Sequence, residues 1–248
     1  MFDRLSLSTK LLLLLDVILA VLTGIYVLSF QYPIPPGQVL PAPVPILAMG
    51  SAVGIFVLYG ALGFIGLVLA RRLGLPRIWD AKVSNRDRFL VPAIRGVGIG
   101  LFFIAADLVL RNFNGVGAII HPPFPSSILA SATAGIGEEM IFRLFLISLG
   151  TWLISVKILG GRRQDQVFWG MAVFSALLFG SGHLPALMVL FGISSFQQIP
   201  VIFLAEVLLL NGVLALAAAY YFKKSGFLAA VGVHFWTDVV WHVIFGML

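Results

Sequence analysis

The sequence predicts an all-α fold, a polytopic transmembrane bundle of seven to eight spans with a polar cavity inside the bilayer. Three observations carry that prediction. Of the 248 residues, 60% are hydrophobic and only 10% are charged, with a mean hydropathy of +1.06. Soluble domains carry roughly 25% charged residues, so a water-facing surface cannot be assembled from this composition. The apolar residues fall in runs of about 20, the length a helix needs to cross the hydrocarbon core, and not in the alternating stretches of a membrane barrel. Basic residues gather in the short segments between alternate runs, which is a topology signal. That placement also removes the nucleic-acid reading that a net charge of +6 would invite in a soluble chain. With no cysteine in the sequence, disulfides and thiol chemistry are excluded.

Taken in order, the first run covers residues 11–30 behind Arg4 and Lys10. Its length and the lack of a small-residue cleavage site mark a retained span rather than a signal peptide. An uncharged proline-rich stretch at 32–45 leads to a second span at 46–70. The most polar segment, 71–88, reads as a surface loop or a short amphipathic helix. A third span at 89–110 is followed by the loop 112–125, which contains His121-Pro-Pro. Pro125-Ser126-Ser127 is a helix start, and the fourth run continues to about residue 158. After a basic loop at 160–166, the fifth run begins near Val167 and is interrupted at Gly180-Ser181-Gly182-His183-Leu184-Pro185. Further spans cover 200–222 and 227–248.

Loop charge fits this layout when seven spans are taken. One set of loops holds Arg4, Lys10, Arg71, Arg72, Arg77, Lys82, Arg86, Arg88, Lys157, Arg162, Arg163, Lys223 and Lys224, and the other holds only Arg111. The positive-inside rule then places the amino terminus in the cytoplasm, in a multi-pass protein of the cell membrane. A separate span at 184–196 would make eight and move the carboxy terminus to the other side.

A charge at the bilayer centre costs about 2.5 to 3.5 kcal/mol on insertion scales, so the polar residues inside these runs are informative. Asp16 and Arg95 sit near span ends and read as solvated or snorkelled groups. Asp107 and Glu206 lie deeper, with no partner in sequence, and read as buried hydrogen-bonded or protonated carboxyls. His121 falls in a proline-rich loop, where a solvated place is expected.

Three further groups carry chemistry. In Glu138-Glu139-Met140-Ile141-Phe142-Arg143, Glu139 and Arg143 are four apart and share a helix face. Glu138 points about 100° away and is left free of that partner. One carboxylate is thereby neutralised while its neighbour is available as a base, the separation that acid–base catalysis uses. Phe179-Gly-Ser-Gly-His183 places an imidazole beside small residues that permit close approach of helices or substrate. In His234-Phe-Trp-Thr-Asp238 two polar groups are four apart on one face, and His242 continues that face. Each group is costly if orphaned, so convergence on one cavity is the economical arrangement.

Glu138-Glu139…Arg143, Phe179…His183 and His234…Asp238, in that order, resemble the CAAX prenyl protease and bacteriocin-processing (CPBP, Abi) family of intramembrane proteases. The resemblance covers about residues 127–241. It implies one membrane domain over 1–248, with motif-free spans in 1–126 and a catalytic core in 127–245. It further implies that Glu138 and His183 activate a water, that His234 and Asp238 steady the carbonyl oxygen, and that Glu139 and Arg143 support them. Aspartate stands at 238 where the prenyl proteases often carry asparagine. It would have to be protonated to donate to an oxyanion, or else act by orienting His234. No cofactor is the expectation; zinc is the alternative, held by Glu138, His183 and His234.

The resulting expectation is an intramembrane endopeptidase acting on a peptide or prenylated-protein substrate amid membrane lipid, without nucleic acid. Prenylated CAAX tails, bacteriocin leaders and other membrane peptides all remain open as substrates. Two other classes compete: a transporter relaying ions through Asp107, Glu138, Glu206 and Asp238, and a non-catalytic scaffold.

Overall fold

The computed structural model of the chain describes residues 6–29 and 39–248. Arg4, Phe30 at the end of the first run and residues 32–38 of the proline-rich stretch lie outside the described residues. Among those described, no strand forms and seven helices are long and apolar enough to cross a membrane. They are α1 (Leu7–Ser29), α2 (Val44–Arg72), α3 (Arg86–Leu110), α4 (Ser126–Ile158), α5 (Gln164–Leu190), α6 (Val201–Ser225) and α7 (Phe227–Met247). The predicted all-α, multi-span class is the observed one.

Local chemistry sets the ends. α2 starts behind Pro43 with Pro45 in its first turn and finishes on Arg71 and Arg72, where cations suit the carbonyl end of the helix dipole. α6 finishes on Lys223 and Lys224 and stops at Gly226, whose φ of 90° is open to glycine and strained for other residues. The segment between α2 and α3 forms turns, not an amphipathic helix, folded around Arg88. That side chain is buried, donates to Asn85 Oδ1 at 2.7 Å and to the carbonyls of Asp80 and Val83, and lies 4.0 Å from the Trp79 ring centre.

Two expectations are corrected. The fifth run is not interrupted: α5 continues through Pro185 to Leu190, and 184–196 is not an eighth span. Proline removes one helical hydrogen bond, which neighbouring helices make tolerable in a bilayer. Of the small residues there, Gly180 serves packing, since a Cβ at that position would already sit 3.1 Å from Leu208 of α6. Asp16 is not snorkelled. It is 1% exposed and lies against Gly60 of α2, with no hydrogen-bond partner among the described residues for either oxygen. It shares the face of α1 that carries buried Leu12 and Leu19, and helical periodicity, not depth, decides its surroundings. Arg95, by contrast, is exposed as expected.

The largest buried cluster unites both halves of the chain: Leu12 and Leu19 of α1 and Leu67 of α2 pack with Met140 and Leu144 of α4 and Phe222 of α6. α7 is the most enclosed span, and α3 seats it. A Cβ at Gly96 would collide with the Val233 carbonyl oxygen, so only glycine lets the two backbones approach this closely. Thr237 Oγ1 donates to the Gly96 carbonyl at 3.1 Å across the same contact. His234 and Asp238 are thereby carried on a helix with little freedom to shift.

Candidate active site

The site is built where α4 changes pitch. Regular helix runs to Glu139, and wide π-type turns follow over Met140–Ile147, a distortion often found at functional sites. Across it, Arg143 Nε lies 3.2 Å from Glu139 Oε2, with both side chains fully buried. The guanidinium also sits 4.8 Å from the centre of the Phe179 ring, whose face attracts cations. Phe179 lies at the middle of the assembly, edge-on to His183 at 4.8 Å and to His234 at 5.7 Å.

Glu139 has a second partner. His234 Nδ1 donates to Glu139 Oε1 at 2.8 Å; a carboxylate paired with arginine can only accept, so Nδ1 carries the proton. Nε2 of the same ring then faces Glu138 Oε2 at 3.6 Å and Asp238 Oδ2 at 3.5 Å. The orienting group on His234 is therefore Glu139, and Asp238 stands at ion-pair distance from the opposite nitrogen. Glu139 serves α4 and α7 at once because the face that meets Arg143 is also turned toward α7.

Glu138 differs from its neighbour. Its side chain retains 32% of its accessible surface and lines an open cleft of about 340 Å³ between α1, α2 and α4, together with Thr23, Tyr59 and Thr133. His183 of α5 is half-buried. Its Nδ1 donates to the Phe179 carbonyl at 2.8 Å, which leaves Nε2 with a free lone pair. His183, His234, Asp238 and Glu139 all lie within electrostatic reach of Glu138. The six residues singled out in the sequence therefore meet at one place, two of them accessible and four sealed.

Asp107 and Glu206 form a separate cluster, 0% and 1% exposed. Asp107 Oδ1 accepts from the Ile119 amide at 3.3 Å, and Glu206 Oε2 accepts from Asn114 Nδ2 at 2.7 Å. His121 does not take the solvated place expected of it. It is half-buried, and its Nδ1 is hydrogen-bonded to His242 Nδ1 at 3.0 Å. Burial, with His242 beside it, holds its pKa down at about 4. Tyr59 is also absent from the sequence reading, since a tyrosine inside an apolar run gives no signal that it will face a cleft.

Among the described residues, no group of three or more histidine, aspartate or glutamate side chains is arranged to hold a metal ion.

Residues 120–240 match the family model of type II CAAX prenyl endopeptidase Rce1-like proteins. Over these residues, just under half of its length, the chain is similar to the Rce1-like family. The match spans the site from the α3–α4 loop to α7, and it agrees with the CPBP resemblance of the motifs. No curated protein and no solved structure matches the chain. The seven membrane-capable helices and the similarity to an intramembrane protease family support an integral membrane protein, and the Rce1-like match supports a protease in general. Prenylated CAAX proteins in membranes are the substrates of that family.

Proposed function

We propose that the protein cleaves a peptide bond within the bilayer by glutamate-activated water. Glu138 takes a proton from a water that His183 Nε2 helps to hold, and the hydroxide adds to the carbonyl carbon. His234, carrying a proton on each ring nitrogen, donates from Nε2 to the oxyanion while Asp238 orients that ring, and Glu138 returns its proton to the leaving amine as the C–N bond breaks. The supporting observation is the division of exposure. Glu138 and His183 are reachable, whereas Glu139, Arg143 and His234 are sealed around them. A reacting base must meet substrate, and its supports are best rigid. The substrate is a peptide presented at the membrane, with a prenylated protein tail as the family's own class. The amino terminus is assigned to the cytoplasm on loop charge. The water is activated without a metal.

Peptide profiling of purified protein with and without chelator tests this reading. Glu138→Ala and His183→Ala are expected to lower cleavage by about 10²-fold or more while the protein still inserts and folds, and chelator is expected to change nothing. Undiminished cleavage by both variants refutes the assignment, and loss of wild-type activity on chelation refutes the metal-free step.

A further inference from the structure

Glu138 opens on the cleft between α1, α2 and α4, and two of those three helices lie outside residues 120–240, the region that the family model matches. Glycines three apart seat α2 against its neighbours. A Cβ at Gly60 would come 2.6 Å from Asp16 of α1, and one at Gly63 would come 2.8 Å from Met140 of α4. At Gly66 it would stand 2.5 Å from the Leu144 carbonyl oxygen. Glycine at these places lets α2 lie directly on the wide turns of α4. The same seating carries the half-buried ring of Tyr59, one turn before Gly63, onto α4. A Cβ at Gly137 would stand 3.0 Å from that ring and 3.4 Å from Leu19. The two side chains therefore cover the backbone of the residue immediately before Glu138. Tyr59 is within electrostatic reach of Glu138, and both line the cleft. Apart from Glu138, the lining among the described residues is uncharged, with aliphatic Leu19 and Ile55 beside the hydroxyls of Thr23 and Thr133.

We propose that Tyr59 is a specificity-determining residue, its ring limiting the size of the uncharged substrate side chain that lies in this cleft beside the scissile bond. This inference rests on the catalytic reading above. A peptide attacked by water on Glu138 must pass within reach of that carboxylate, and the cleft is where its exposed part opens. An aliphatic side chain gains by burying apolar surface against Leu19 and Ile55. A charged one would repel Glu138 or pair with it and take it from its water. Because α2 is held by backbone-close contacts at Gly63 and Gly66, it cannot swing aside, and bulk is refused instead of accommodated. The chemistry and the selection are thereby carried by different parts of the chain, the first in the matched region and the second in the first two spans.

The test is kcat/KM on a peptide that the wild-type protein cleaves, with the residues flanking the scissile bond replaced in turn by alanine, leucine and phenylalanine. At one of the two flanking positions the wild type is expected to prefer alanine and leucine over phenylalanine by about tenfold or more. Tyr59→Ala is expected to bring phenylalanine within about threefold of leucine, and Tyr59→Phe, which keeps the ring, to retain the wild-type order. A folded Tyr59→Ala protein with the wild-type preference overturns the proposal, as does a wild type indifferent to phenylalanine at both positions. A lost preference in Tyr59→Phe would assign the effect to the hydroxyl and overturn the steric account. Should Tyr59→Ala fail to fold, Tyr59→Trp reads the same property in reverse. Its larger ring is expected to lower cleavage of the leucine peptide more than that of the alanine peptide, and equal losses overturn the proposal. Occupancy is read separately, with a diazirine analogue of leucine at the selective position and Glu138→Gln protein. Photocrosslinks are expected in the cleft lining of α1 or α2, and crosslinks confined to α5, α6 and α7 would contradict the placement. Full activity in Glu138→Ala would instead sink the catalytic reading beneath it, so the two failures are distinguishable.

Discussion

Two groups of carboxyls lie inside this bundle, and they are compensated in opposite ways. Glu138, Glu139 and Asp238 share their site with a buried arginine and two histidines, and Glu138 opens on a cleft. Asp107 and Glu206 form no ion pair among the described residues. They are held by an amide side chain and a backbone N–H, each with one oxygen unpartnered, and are sealed from the surface. The second group is what a helix bundle needs to tie down a loop. The first has charge of both signs, a reachable base and a route to it, which anchoring a loop does not require. Depth in the bilayer thus does not separate function from structure; the kind of compensation does. The same contrast weighs against the transporter reading, because the four carboxylates it strings together fall into these two groups.

The contrast breaks if both groups respond alike to substitution. Removing one partner of a buried ion pair costs about 3 to 5 kcal/mol, so Arg143→Met is expected to lower the melting temperature in detergent sharply and to abolish cleavage with it. A stable, active Arg143→Met protein would show that Glu139 does not need its cation. Glu206→Gln should do far less, because a neutral amide can still accept from Asn114. A stability change within about 1 kcal/mol and cleavage within about twofold of wild type are expected. A large loss of cleavage there would bring Glu206 into the catalytic apparatus.

The smallest expected effect concerns pH. His121 has its pKa lowered from 6.5 to about 4 by burial and by His242, so the docked state favours the neutral ring. Its contribution to loop docking is complete above about pH 6.5 and declines as pH falls toward about 4, because the undocked loop binds the proton more readily. Hydrogen exchange in residues 111–125 is expected to quicken over that interval, and His121→Phe should remove the dependence. Exchange independent of pH, after correction for intrinsic chemistry, would place the docking elsewhere.

Much of this was legible in the sequence. The spans emerge within a few residues of their observed bounds because bilayer thickness fixes their length, and Glu138, Glu139 and Arg143 could be sorted by helical spacing alone. What sequence missed depends on which face a residue takes or on contacts between distant segments. Nearness to a span end points Asp16 to water, although the face it shares with Leu12 and Leu19 is readable from their spacing. Gly180 and Pro185 carry breaker signals, yet the helix continues through both, with Gly180 packed against Leu208 of α6. The bond from His234 to Glu139 joins residues 95 positions apart, and that from His121 to His242 joins residues 121 apart; no local pattern announces either. The rarity of histidine in so apolar a chain was the signal available for His121.

The central claim is that adjacent carboxylates divide the work, Glu138 reacting and Glu139 holding. Glu138→Gln keeps the shape and removes the base, so its cleavage rate, measured with its melting temperature, tests that claim most directly. The expected result is cleavage reduced by about 10²-fold or more in a protein that melts within a few degrees of wild type. Cleavage at the wild-type rate would contradict it.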